Sequence, residues 1–148
     1  MVESLTQPLV GIVDEAVDVA ALYAGVSKAG VGAISVFLGT VRDTNAGKPV
    51  SGIDYEAYRP MAEAELNRIV REVEAALPGT RIAAVHRLGT LGIGDISVAI
   101  AAAHARRKQA MEAAQRVIEL IKARVPVWKL EHYVDGTREW VDPSGAPR

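Results

Sequence analysis

His104–Glu131 reads HARRKQAMEAAQRVIELIKARVPVWKLE. The stretch ends one strand, runs through a long helix, stops at a proline and starts another strand. Over about Arg106–Arg124, Ala110, Ala114, Val117, Ile118 and Ile121 recur at helical spacing and share one arc. Glu112, Gln115, Arg116 and Glu119 face away. Arg107 falls inside the apolar arc, and Lys122 sits at its edge beside Ile118. Pro126 forbids continuation of the helix and pushes Val125 towards extended geometry. Beyond it Trp128, Leu130 and His132 alternate with Lys129, Glu131 and Tyr133, the two-residue period of a strand.

Upstream, Ile96–Ala103 (ISVAIAAA) is apolar on both faces and reads as a central strand. Arg81–Leu88 is a strand, and the glycine-rich GTLGIGD after it joins strand to strand. It therefore lacks the strand–turn–helix context of a dinucleotide loop. Pro60 opens a helix whose stripe is Ala62, Leu66, Ile69, Val70, Val73 and Leu77, ended by Pro78–Gly79. Ala33–Arg42 and Val50–Tyr58 form a hairpin around Asp43–Pro49, expected to be a mobile polar loop. On the first strand Ile34, Val36, Leu38, Thr40 and Arg42 share a face, so Arg42 ends an apolar row. Leu9–Val13 is a short strand. Asp18 caps a helix to about Lys28 with Val19, Leu22, Tyr23 and Val26 at helical spacing. Asp135–Gly136 is a turn before a last strand, Arg138–Val141. The pattern predicts an α+β fold with a largely antiparallel sheet in a single domain, residues 1–148, with loose tails at 1–7 and 142–148.

The 148 residues carry a net charge of −1, which offers no global basic field for nucleic acid. Any cationic site must be local. There is no cysteine, which excludes disulfides, thiolate metal sites and a protein thiol nucleophile. No signal peptide is visible, and the longest apolar run is too short to span a bilayer. A cytoplasmic protein without membrane attachment is the expectation.

Arg106, Arg107 and Lys108 stand where a helix begins. Free N–H groups and the macrodipole make that end positive already, so cations are unfavourable there and an anion is favoured. The three are a candidate anion site or a solvated helix start. Lys122 and Lys129 flank Pro126, whose turn can bring a helix-end side chain and a strand side chain together. If Arg42 and Arg107 also converge, like charge lowers the lysine pKa values and enables proton exchange near neutrality. The alternatives are a cation stabilising a helix C-terminus for Lys122, and a solvated strand residue paired with Glu131 for Lys129. His86 and His104 sit on apolar strand faces and lack companions at metal-ligand spacing. Trp128 and Trp140 suit a core or an interface.

FLGTVRD (37–43), YEAYRPMAE (55–63), VHRLGTLGIGD (85–95), HARRKQAMEAA (104–114) and IKARVPVWKLE (121–131) together resemble the large, catalytic subunit of molybdopterin synthase. The resemblance spans about residues 30–141. It implies an α/β-hammerhead with an added antiparallel sheet, in a homodimer at the centre of a heterotetramer. It implies a partner, a small ubiquitin-like carrier whose C-terminal Gly-Gly thiocarboxylate enters a pocket of the large subunit. Sulfur passes to cyclic pyranopterin monophosphate, with no metal or organic cofactor for this step. Residue by residue, Lys122 and Lys129 match the catalytic lysines. Arg42 and Arg107 match anion-binding arginines, and Glu131 matches the acid that orients the second lysine. The family often has histidine where this chain has Arg106; His104, two residues earlier, could substitute only in part, and both are counted among the substrate-binding candidates. A non-catalytic module that binds a ubiquitin-like tail or phosphorylated ligand is the alternative reading. A nucleic-acid binder is the weakest.

Overall fold

The computed structural model describes residues 7–141, so the tails expected at the two ends lie outside the described residues except for Gln7. In chain order the elements are β1 Val10–Val13, α1 Val19–Val26, β2 Ala33–Thr40, β3 Thr44–Asn45, β4 Lys48–Ala57, α2 Arg59–Ala76, β5 Arg81–Arg87, β6 Gly89–Gly92, β7 Ile96–His104, α3 Arg107–Arg124, β8 Val127–Tyr133 and β9 Arg138–Val141. No helix among the described residues is long and apolar enough to cross a membrane.

The first sheet has the order β1-β5-β7-β2. Only the β1–β5 pair is parallel. β5 and β7 are central and buried on both faces, as the unbroken apolar run of β7 requires. Their alternate residues feed two cores. Ile82, Ala84, Val98, Ile100 and Ala102 pack with Leu66, Ile69 and Val73 of α2 and with Ala113, Val117 and Ile121 of α3. Ala83, Val85, Ala99, Ala101 and Ala103 pack with Leu22 and Val26 of α1. The small alanines let α1 approach the sheet closely.

α1 begins where Asp18 accepts a hydrogen bond from the Ala21 backbone N–H at 3.1 Å. It stops at Val26, two residues short of the expected Lys28, and Tyr23 is 54% exposed, so it lies off the packing face. Pro60 lies in the first turn of α2 as expected. The second sheet has the order β3-β4-β8-β9, with β6 paired to β4. GTLGIGD is thus more than a turn, because its first four residues are a strand. The α+β fold with an added antiparallel sheet is the architecture the sequence implies.

Two local expectations change. β2 ends at Thr40 with a register break between Gly39 and Thr40, so the strand period does not reach Arg42. Val36, Phe37 and Leu38 are 44%, 37% and 40% exposed, because β2 is an edge strand paired only with β7. Asp43–Pro49 is an ordered hairpin rather than a loop. β3 and the start of β4 pair across Ala46 and Gly47, with φ 51° and 80°, the two positive values of a tight hairpin turn.

Candidate active site

α3 ends on the bond from the Val125 N–H to the Ile121 carbonyl at 3.0 Å, and Pro126 sends the chain directly into β8. Lys122 therefore leaves the last helical turn beside the first residues of a strand. β8 lies against β4 with Lys129 opposite Tyr55 and Glu131 opposite Ile53. Lys129, Glu131 and Tyr133 share the inward face, and Glu131 and Tyr133 are buried. The charged side of this amphipathic strand turns into the protein. From the other wall comes Arg42. Its backbone is set by Val41, whose N–H donates to the Asp95 carbonyl at 3.0 Å and whose carbonyl accepts from Gly94 at 2.8 Å. Arg42, Asn45, Tyr55, Lys122, Lys129 and Glu131 line one cavity of about 250 Å³.

Three cations of four expected thus meet around one space. Lys122 is exposed along its side chain, yet the protein around its amine desolvates it and lowers its pKa, and the Lys129 charge lowers it further. Lys129 is ordered by Glu131, whose Oε2 lies 3.7 Å from its Nζ. Glu131 is only 2% exposed, a buried carboxylate that must be satisfied. Its Oε1 accepts from Asn45 Nδ2 at 2.7 Å and from the Tyr133 hydroxyl at 2.9 Å. Lys129 is therefore no solvated strand residue, although its pairing with Glu131 is as expected.

Behind the cavity, His86 lines a narrow slot with Tyr55, Lys122 and Lys129. Its Nδ1 lies 3.0 Å from the Arg87 carbonyl, which can only accept, so the proton sits on Nδ1. Burial pushes its pKa down to about 4, with Lys122 contributing repulsion, and the ring is neutral. Tyr55 is held protonated because burial raises its pKa, against a hydrogen bond with Ser97 and with help from the Glu131 charge.

The helix-start group lies elsewhere. Arg107 and Lys122 are fifteen residues apart on one α-helix, about 22 Å along its axis at 1.5 Å per residue. Arg106, Arg107 and Lys108 are all exposed, so Arg107 does not enter the apolar core as the helical arc suggested. It is the first helical residue, and the core begins at Ala110. His104 is occupied structurally. Its Nδ1 accepts from the Arg106 N–H at 2.9 Å, and its Nε2 donates to the Pro78 carbonyl at 3.2 Å. Within one chain, His104, Arg106 and Arg107 do not join Lys122 and Lys129.

The sequence reading passed over Asn45, Tyr55, Ser97 and Tyr133. Asn45 lies 86 positions from Glu131, beyond any local pattern. Its one signal was the Asn-Ala-Gly-Lys turn, which places a strand-end amide opposite whatever the next strand carries.

The family model described as MoaE protein matches residues 12–124. The chain belongs to the MoaE family. The molybdopterin synthase catalytic subunit of Halalkalibacterium halodurans is 42% identical over 125 residues, 79% of this chain and 80% of that protein. Molybdopterin synthase catalytic subunit 1 of Mycobacterium tuberculosis is 42% identical over 134 residues, 90% of each. The crystal structure of molybdopterin synthase from Staphylococcus aureus superposes with a TM-score of 0.85 at 40% identity, covering 88% of this chain and 95% of that one. As a MoaE-family catalytic subunit the chain is a sulfurtransferase of molybdenum cofactor biosynthesis.

Proposed function

We propose that the Arg42–Lys122–Lys129 cavity is where sulfur leaves a thiocarboxylated carrier for cyclic pyranopterin monophosphate. The carrying observation is the convergence of these three cations with a buried carboxylate in a chain whose net charge is −1. A small ubiquitin-like subunit presents its C-terminal Gly-Gly thiocarboxylate, an anion, and the substrate carries a phosphate. Both need local positive charge.

Transfer from a thiocarboxylate forms a bond between its sulfur and a substrate carbon while that carbon's bond to oxygen breaks, the oxygen leaving on the substrate's own phosphate or, once protonated, as water, and this gives a thioester. Water then attacks the acyl carbon, the acyl C–S bond breaks, the carrier leaves as a carboxylate and the thiol stays on the pterin. Oxyanion charge develops at the acyl carbon. Lys122, poised at the cavity mouth, stabilises that charge, and its lowered pKa suits it to pass a proton to the departing sulfur. Lys129, fixed by Glu131, binds substrate and assists proton transfer. Arg42 holds the anionic group. Two rounds give the dithiolene.

His104, Arg106 and Arg107 enter this reading through a second copy. A homodimer brings one copy's helix start to the other's cavity, where Arg107 contacts phosphate with Arg106 beside it. The exposed edge of β2, with Val36, Phe37 and Leu38, supports such pairing. We place the resulting heterotetramer, one domain per chain, in the cytoplasm.

The test is conversion of the precursor by thiocarboxylated carrier. Lys122→Ala should fold and lose roughly a hundredfold or more in turnover, the scale of one preorganised charge. Full activity in that variant refutes the assignment.

A further inference from the structure

Glu131 lies at the centre of a set of contacts that the reaction as written does not use. A carboxylate 2% exposed beside a single ammonium at 3.7 Å is under-satisfied by that pair alone. The remaining partners come from outside the lysine pair. Asn45 reaches it from the two-residue strand β3, donating Nδ2 at 2.7 Å. Tyr133, two residues on in β8 and facing the same way, donates its hydroxyl at 2.9 Å. Both bonds land on Oε1, which leaves Oε2 turned to Lys129.

Each donor is itself held. Asn45 is fixed by its pairing with Lys48 across the tight turn at Ala46–Gly47. Lys48 returns over the Tyr133 ring, its Nζ 4.0 Å from the centroid. The Tyr133 hydroxyl also lies 3.2 Å from Glu139 Oε2, on β9. Val134 N–H donates to the Pro49 carbonyl at 3.0 Å, fastening the end of β8 to the hairpin. The hairpin thus grips the buried carboxylate twice, once through Asn45 and once through the ring of Tyr133.

We infer that Asn45 and Tyr133 are positioning residues that set the place of the Lys129 ammonium by fixing which oxygen of Glu131 faces it. The inference rests on the reading of Lys129 as a working group in sulfur transfer. With Oε1 committed to two donors, the carboxylate cannot rotate freely, and Lys129 is aimed at the cavity. Without either donor the carboxylate turns and draws the ammonium after it. Misplacement of a reacting group by about 1 Å costs up to roughly a hundredfold in rate.

The experiment compares Asn45→Ala and Tyr133→Phe, alone and combined with Glu131→Gln, in the complete synthase with thiocarboxylated carrier and precursor. Tyr133→Phe removes one oxygen and keeps the ring beneath Lys48. Each single variant should lower kcat about tenfold with KM for the precursor changed less than about twofold. In the Glu131→Gln background neither should cost anything further, because the effect travels through that carboxylate. Amine labelling followed by mass spectrometry should change Lys129 reactivity more than that of Lys122, which senses Lys129 only as the smaller cause of its lowered pKa, a contrast that general loosening would not produce. Wild-type kcat in both single variants overturns the inference, and so do losses that persist undiminished in the Glu131→Gln background. Lys129→Ala is the control. If it leaves turnover intact, the reading of the site has failed. If it abolishes turnover while the positioning variants are normal, only the inference has failed.

Discussion

The rings of Tyr55 and His86 meet edge to face, with centroids 5.1 Å apart and planes at 69°. The contact seals the slot behind Lys122 and Lys129 and keeps water from the imidazole. Because burial holds the His86 pKa near 4 in the folded chain against 6.5 for the free side chain, the unfolded chain binds more protons between those values. Stability from this group is therefore fully present above about pH 6.5 and is lost as pH falls towards 4. Urea titrations at pH 7 and pH 4.5 should differ by about 2–3 kcal/mol more in the native chain than in His86→Phe. Equal differences would show that the ring charges without penalty.

Lys122 should react with amine reagents at pH 8 faster than an exposed lysine such as Lys28, since desolvation and then Lys129 lower its pKa. Lys129→Gln removes the second cause and leaves the first. Labelling of Lys122 in that variant should slow without reaching the Lys28 rate. An unchanged rate would mean that the two ammonium groups do not sense each other.

Arg124 secures the helix end that carries Lys122. Its Nε donates to Glu65 at 2.8 Å, and its terminal nitrogens donate to Glu72 at 2.6 Å and 3.1 Å, both acids on α2. Arg124→Lys should lower both the melting temperature and kcat, because a point charge cannot serve two carboxylates with a planar fork. The melting difference should shrink as salt is added. A lysine variant with native values would show that helix position does not depend on the clamp.

Gly32 precedes β2, and a Cβ built on it would stand 2.3 Å from the Ala105 carbonyl oxygen. Backbone, not a pliable side chain, blocks that space. Gly32→Ala should cost roughly 2 kcal/mol or more of stability in urea unfolding. It should also disturb the adjoining helix start at Arg106 and Arg107, which binding of inorganic phosphate can report.

Much of this arrangement was legible in the residues. The period of α3 and the stop at Pro126 are local properties, so they showed that Lys122 and Lys129 could come close, and the cavity that both line bears this out. Ile96–Ala103 had to be central because it has no polar face to give to water. Other features depend on what lies across the chain. A helical wheel puts Arg107 in line with Ala114 and Ile118 but does not say where the core ends, and the core ends a turn short of it. Lys129, Glu131 and Tyr133 have the look of a solvent face, yet Glu131 and Tyr133 are buried and Lys129 is half-buried. Asp43–Pro49 has the composition of a loose loop, and it is ordered by contacts from across the chain, among them pairing of β3 with β4, the bond from Asn45 to Glu131 and the bond from Val134 to Pro49.

The eighteen residues of α3 join a start that exposes Arg107 to an end that delivers Lys122. One residue added or removed between them would twist those ends by about 100° relative to each other. With Ile121 held on the sheet and Lys122 in its cavity, the residues before the change, Arg107 among them, would then be turned away from their present direction. Insertions and deletions should be tolerated in the surface connections and rejected inside this helix, which acts as a gauge whose length is tied to the chemistry.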